Sequence, residues 1–497
     1  MGSLHEHNPS LWVATTEPGE LPPLDGDAHA DVVVVGAGIT GLTTARLLTA
    51  AGARVVVVDA GPICAGATGY TTAKVTSLHG LRYRSIADAF DEERARLHGE
   101  ANEAGLAEIA RLVEADGIDC AFERRGHVVY TTDPARRDDV QAEIELAQRL
   151  GLPASASMGD DLPFAVAAAV RFDHQGQLHP RAFCLGLAGA VTAAGGRIHA
   201  HTRARLIEEG RVVTDHGELS ADAVVVATHL PPHELGGYFA RCEARRSYAI
   251  AITVDGPRPV DMHISADSPT RSLRTAVDHL IVGGEGHKVG ELDDTADPYG
   301  NLERWAREQF AVRSVDHRWS AQDWVSADGL PYIGRLPGHD RVFVATAFAK
   351  WGMAQSAAAA IMVRDLIGGR DNPWLEAYDA TRVAPRQSAK GVASVNLSAG
   401  KHMIGDRVGV AEDSSIDSLP PGDGVVVRID GHPTAVHRDD AGELHAVSAV
   451  CTHLGCLLSF NRCERSWDCP CHGSRFTVDG AVLEGPAVDD LAEKELA

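Results

Sequence analysis

Cys451-Thr452-His453-Leu454-Gly455-Cys456 and, further on, Cys469-Pro470-Cys471-His472-Gly473-Ser474-Arg475-Phe476 bracket the stretch from which the rest of the chain is read. They are two half-sites of one pattern. Cys451 and His453 make a C-x-H pair; Cys469, sixteen residues after His453, opens a C-x-x-H pair with His472. Two thiolates and two imidazoles suit a [2Fe–2S] centre with the cysteines on one iron and the histidines on the other. The same donors suit tetrahedral zinc. Zinc, however, leaves a second cysteine pair, Cys456 and Cys471, and the Gly473-Ser474 that follows without a role.

The two loops closely resemble those of Rieske proteins of the respiratory-complex type, in which such loops cover the cluster and are tied by a disulfide. By position, the resemblance implies Cys451, His453, Cys469 and His472 as ligands and Cys456–Cys471 as the bridge. It implies a small all-β domain, and the sequence from Asp406 onward agrees. Short strand patterns there are punctuated by reversals at Asp430-Gly431 and Ala441-Gly442. Ser474 keeps a hydroxyl that can donate to a cluster sulfur, while Phe476 stands where the family usually carries a tyrosine.

Away from these loops the bulk properties narrow the options. A chain of 497 residues predicts two or three domains. With 46 basic against 69 acidic residues the net charge is −23, which repels phosphate backbones and argues against nucleic acid as a partner. No apolar run approaches the ~18 residues of a membrane span, and the start, MGSLHEHNPS, has no basic segment followed by an apolar core. Of nine cysteines, five lie in the last 50 residues, while Cys64, Cys120, Cys184 and Cys242 are scattered as ordinary thiols. That distribution fits a cytoplasmic protein with one special site.

Near the other end, Asp31–Val35 (DVVVV) reads as a strand buried on both faces. Gly36-Ala37-Gly38-Ile39-Thr40-Gly41 follows, then a helical pattern, then a second strand over Arg54–Val58 ending at Asp59. Gly36 allows the tight turn, Gly38 the approach of a pyrophosphate, Gly41 close helix–strand packing, and Asp59 a ribose hydroxyl. The helix start supplies partial positive charge for the phosphates.

Later segments resemble the D-amino-acid-oxidase and glycine-oxidase family of flavoproteins over about residues 28–375. The matching motifs are GAGITG, the strand DAVVVAT, DGLPYIG and FAKWGM before a helix. The resemblance implies extended FAD, held by Gly36, Gly38, Ile39, Thr40, Gly41, Asp59, Ala60, Thr71, Thr72, Asp328, Gly329, Gly352 and Met353. With Tyr70 in the early loop and no cysteine in FAKWGM, dissociable FAD is expected. The predicted fold is an α/β FAD-binding Rossmann-like domain with an interleaved α+β substrate domain on a mixed sheet, then the all-β Rieske domain. Within a flavin region 1–375, FAD-binding parts are expected at about 28–85, 171–235 and 320–370, and substrate parts at about 86–170 and 236–319. A helical linker over 376–405 and a cluster domain over 406–497 complete the chain.

Three functions compete. A Rieske oxygenase needs a two-His-one-carboxylate iron site, but Asp173, His174, His179, His229 and His233 all fall within segments the flavoprotein pattern explains. A pure electron carrier fed by a nicotinamide would need a second nucleotide fingerprint, and none follows Gly41. That weakens the carrier reading and leaves it as the alternative; the reading that explains both cofactors is a dehydrogenase acting on a C–N bond of a small amine or amino acid. Its electrons leave one at a time through the cluster to an external acceptor, a ferredoxin-like protein or a quinone. Lys350, Lys74 and His79 are the candidates for proton transfer near the ring; Tyr248, His263, Arg245 and Arg246 are weaker ones on the substrate side.

Overall fold

Two large sheets and a pair of small ones carry the fold. The computed structural model describes residues 8–17, 19, 21–292, 296–382, 411–412 and 416–496. The first large sheet runs Tyr332–Arg335, Val342–Thr346, Gly217–Val226, Ala28–Val35, Val55–Val58, Arg197–His199. Apart from the antiparallel Tyr332–Arg335, the strands along this order are parallel. The valine runs form central strands because alternate side chains serve two cores. Val32, Val34, Val55 and Val57 face helices Ile39–Ala50 and Gly352–Ile367, and Val33, Val35, Val56 and Val58 face the opposite cluster.

The second large sheet runs Val312–Ser326, Cys242–Val254, His279–Lys288, Arg271–Ala276, Met262–Ser265, Glu123–Thr131, Ala168–Gln177, Lys74–Val75. It is mixed, since Met262–Ser265 lies parallel to Glu123–Thr131 among antiparallel neighbours. Helix Glu92–Ala115 joins the two halves. A Cβ at its Gly105 would lie 2.1 Å from the Ala354 carbonyl oxygen, so glycine and the alanine-rich Gly352–Ile367 let the helices approach closely.

Two expectations shift, and a third falls largely outside the described residues. Ala168–Gln177 and Val312–Ser326 overlap the expected FAD-binding segments 171–235 and 320–370, yet both pair in the second sheet. The chain changes sheets only after each strand ends. The charged helix read over Arg82–Gly117 is two helices, Arg82–Ala89 and Glu92–Ala115, because the Asp91 side chain accepts from the Arg94 amide and starts a new one. The linker read over 376–405 lies outside the described residues from 383 onward.

The C-terminal part has two four-stranded sheets. Its core gathers Trp467, Phe476 and Val447 around Cys451, Cys456, Cys469 and Cys471. Among the described residues no helix is long and apolar enough to cross a membrane.

Candidate flavin and cluster sites

At the dinucleotide end, the glycines are dictated by space. A Cβ at Gly41 would sit 1.9 Å from the Gly36 carbonyl oxygen, and one at Gly36, where φ is +112°, 2.4 Å from that of Ala227. Asp59 closes on the same turn, its carboxylate accepting from the amides of Ala37 at 2.6 Å and Gly61 at 2.8 Å. Burial raises its pKa against the pull of those amides. The helix starts at Gly38 and Trp351 both lack a side-chain cap. Thr40 and Ser356, 2.8 Å apart, bring these two starts together. Two N-termini whose own cap residues offer no side-chain hydrogen bond concentrate amide donors and positive dipole on one side of the sheet, where an extended dinucleotide would lie. The donor set therefore fits FAD. Thr68, which the sequence reading missed, accepts from the Ile39 amide at 3.2 Å.

The other expected FAD residues differ in role. The Thr71 hydroxyl accepts from the Ala73 amide, and its carbonyl from the Trp12 indole at 2.6 Å. The Thr72 and Ala73 carbonyls accept from Arg274, which ties this loop to the second sheet. Asp328 is taken up structurally: its two oxygens accept from Arg382 at 2.7 and 2.8 Å, and the Gly329 carbonyl accepts from Arg82. That network fixes the turn at Asp328 and Gly329 against Arg382 and Arg82.

Of the three proton-transfer candidates, Lys350 lies in the loop before helix Gly352–Ile367, exposed, with its ammonium donating to the Ser247 hydroxyl at 2.6 Å. Lys74 is buried; burial first, then Arg274, brings its pKa down to about 7, and it donates to the His263 carbonyl and the Ser272 hydroxyl. His79 belongs to a buried chain under Trp351, whose ring stacks on it at 4.9 Å. Its Nε2 meets the Thr76 carbonyl, so that nitrogen carries the proton and Nδ1 accepts from His98 at 3.2 Å. His98 in turn accepts from the Tyr378 hydroxyl at 2.7 Å. Burial lowers the His79 pKa to about 3, so this ladder is neutral. His98, Tyr378 and the fully buried His127 beside Trp351 were not singled out from sequence.

On the substrate side, Arg246 and Tyr248 point away from the first sheet and toward the cluster domain. Arg246 lies 3.5 Å from Glu464, and the Tyr248 hydroxyl accepts from Asn461 at 3.3 Å. Arg245 pairs with Glu243, and the fully buried His263 lies 2.9 Å from Asp161. His179, weighed as an iron ligand, caps helix Pro180–Ala193 by accepting from the Ala182 amide.

In the cluster loops, Cys456 and Cys471 are joined in a disulfide. The sulfurs of Cys456, Cys469 and Cys471 lie within 4.8 Å of one another, but that bond occupies two of them. Cys469 and Cys451 remain, and their thiols share a hydrogen bond that lowers Cys451 to about 7 and raises Cys469. Ser474 also donates to Cys451. The imidazoles of His453 and His472 stand perpendicular at 5.1 Å, and both nitrogens of His453 and Nδ1 of His472 are buried without a partner. Burial, then His453 and Lys288, holds His472 near 4, hence neutral as a ligand must be. Paired thiols and orphaned neutral imidazoles on the same two loops fit a [2Fe–2S] cluster, which Cys451, Cys469, His453 and His472 would hold.

This edge is covered by the flavin region. Phe239 stands edge-on to both imidazoles at 5.1 Å each. Gln322 donates to the Gly473 carbonyl at 2.8 Å, and Ser459 to that of Gly290 at 3.0 Å. A Cβ at Gly473 would meet Ala244 at 2.2 Å. His229, just past the C-terminal end of strand Gly217–Val226, reaches Asp323 at 2.9 Å and Glu484 of the cluster domain at 3.0 Å. Burial opposes its charge, but the hydrogen bonds it donates to Asp323 and Glu484 outweigh burial and raise the pKa to about 10. Its position at the end of a parallel strand, where such sheets place their sites, was the available sequence signal.

Residues 31–366 match the family described as FAD dependent oxidoreductase, and residues 409–495 the Rieske [2Fe-2S] domain. The Bacillus subtilis (strain 168) protein YhfW, named for a Rieske 2Fe-2S iron-sulfur centre, is 34% identical over 98% of this chain and 97% of its own. Cytochrome b6-f complex iron-sulfur subunit 2 of Synechocystis is 40% identical over 95 residues, 18% of this chain and 52% of that protein. Among solved structures, glycine oxidase from Geobacillus kaustophilus overlays 72% of this chain and all of its own with a TM-score of 0.62 at 21% identity. L-proline dehydrogenase from P. horikoshii overlays 73% of this chain and 98% of its own with a TM-score of 0.58 at 20% identity.

Proposed function

Because the chain belongs to the FAD-dependent oxidoreductase family and carries a Rieske [2Fe–2S] domain, we propose that it is a dehydrogenase of a small amine or amino acid. Its electrons leave through the cluster to an external one-electron acceptor. FAD supplies hydride acceptance from the C–N bond, and the cluster supplies one-electron passage at a potential within about −150 to +300 mV. Loss of a hydride and a proton would leave an imine, open to hydrolysis, and the two electrons would reduce two molecules of a ferredoxin-like protein or, in two steps, one quinone to quinol.

The chain's own residues divide the work. Gly36, Gly38, Ile39, Thr40 and Gly41 bind the pyrophosphate, Asp59 and Ala60 the ribose side, Thr71 and Thr72 the early loop, and Gly352 with Met353 the ring's pyrimidine end. Cys451, His453, Cys469 and His472 hold the cluster, and Lys350 orients substrate or moves a proton. The printed names of the overlaid structures, glycine oxidase, L-proline dehydrogenase and L-amino acid deaminase, support an amino-acid substrate. The buried, scattered thiols Cys64, Cys120, Cys184 and Cys242 support a cytoplasmic setting.

One observation carries the reading: the histidine edge of the cluster site is packed against the flavin region by Phe239, Gln322 and Ala244. The experiment is anaerobic mixing of the purified protein with a panel of amino acids and secondary amines. Bleaching of the flavin bands by one of them, without O2, is the expected result. No bleaching by any C–N substrate, with rapid bleaching by NADH, would replace the reading with an electron carrier.

A further inference from the structure

Three residues of the loop before helix Gly352–Ile367 have left-handed backbones without being glycine: Ala347 at φ 63°, Ala349 at 53° and Lys350 at 70°. Such a backbone is strained for a residue with a Cβ and persists only where surroundings over-determine it. The restraints are visible. The Ala349 amide donates to the Trp324 carbonyl at 3.0 Å, and the Lys350 amide donates to the carboxylate of Asp323. The Thr346 hydroxyl donates to the His229 carbonyl.

Those restraints are themselves held from the cluster domain. The Asp323 oxygen not used by Lys350 meets His229 Nε2 at 2.9 Å, and His229 Nδ1 meets Glu484 at 3.0 Å. The side chains of this trio are only 14–22% exposed. Glu484 is paired in register with Arg475, whose guanidinium approaches its other oxygen at 4.0 Å. The neighbouring Gln322 donates to the Gly473 carbonyl, next to the ligand position 472. One stretch, Gln322-Asp323-Trp324, thus grips a cluster loop on one side and the strained loop on the other.

We propose that His229 is a positioning residue that makes the docked cluster domain hold the strained Ala347–Lys350 loop in place, through Glu484, His229 and Asp323. The cluster domain is then a structural part of the flavin site as well as an electron outlet. This deepens the reading above and rests on it only for the assignment of Lys350–Met353 to the ring.

Hydrogen exchange on the full-length protein with both cofactors tests it. Glu484→Gln removes the charge from the cluster-domain end of the chain, far along it from the loop, and His229→Gln breaks the middle. Both variants, compared at wild-type iron and FAD content, are expected to speed exchange of the Ala349 and Lys350 amides at least about tenfold. The double variant should be no worse than His229→Gln alone, because one pathway is cut twice. Exchange changes confined to the strands around Glu484, with Ala349 and Lys350 as protected as in wild type, would overturn the proposal. If His229→Gln does not retain its cofactors, Glu484→Gln alone decides by the same amides. Flavin bleaching by substrate is measured in parallel. If no C–N substrate bleaches even the wild type, the functional reading fails while the exchange result still decides the link.

Discussion

The cluster site and the flavin site are assembled in opposite ways. Every expected cluster ligand and both disulfide cysteines fall within 451–472, on two loops that fold back on one small β-core. The flavin site gathers residues from Gly36 to Met353, contributed by two sheets that the chain leaves and re-enters. A site made of adjacent loops has its geometry set locally. A site made of distant segments depends on whatever holds those segments, and here part of the hold comes from the other site's domain.

The largest effects test whether the two sites are separable. Gly41→Ala would force a Cβ to within 1.9 Å of the Gly36 carbonyl oxygen, and FAD retention is expected to fall at least about a hundredfold, equivalent to about 3 kcal/mol. The cluster absorption should remain. His472→Ala is expected to reduce iron from about two per chain to near zero, as a Rieske cluster demands, while FAD stays bound. One zinc and no iron in the wild type would end the cluster assignment.

The next effect concerns pH. His229 faces Asp323 on the second sheet, Glu484 of the cluster domain, whose other oxygen Arg475 approaches, and the Trp324 ring. Its pKa is raised from 6.5 to about 10. Its stabilisation is therefore fully present below about 6.5 and is lost as pH rises through about 10. The stability gap between wild type and His229→Gln, followed by urea unfolding, is expected to be about 3 kcal/mol near pH 6 and to shrink toward zero by pH 10. A gap that widened with pH would refute the histidinium assignment.

A smaller effect sharpens the local side of the comparison. Phe476 is fully buried and Ser474 already donates to Cys451. Phe476→Tyr adds a hydroxyl beside the cluster sulfurs, and the reduction midpoint is expected to rise modestly. A fall in a titration followed by EPR would mean that this loop is misaligned. Smallest in consequence, acid is expected to release all the yellow colour as free FAD.

What could be read from the sequence follows the same division. The GAGITG turn, its flanking valine strands and the C-x-H and C-x-x-H loops are local, and each is constrained by hard sterics or by metal chemistry. The pairing of the Asp328 carboxylate with Arg382 was not legible because the two are distant in sequence. The roles of Arg246 and Tyr248 depended on Glu464 and Asn461, more than two hundred residues away. His229 could have been suspected from its place past a parallel strand, but neither Asp323 nor Glu484 could have been assigned to it. The ladder from His79 to Tyr378 spans both halves of the flavin region and leaves no periodic trace.

The central claim is that substrate electrons reach the cluster within one chain. The direct measurement is rapid-freeze EPR after anaerobic mixing of substrate with wild type and with His472→Ala. The account predicts flavin bleaching in both, followed in the wild type by the reduced Rieske signal, and turnover with a one-electron acceptor lost in the variant. A wild-type cluster that stays oxidised after the flavin bleaches, or a variant that turns over as fast as wild type, would contradict it.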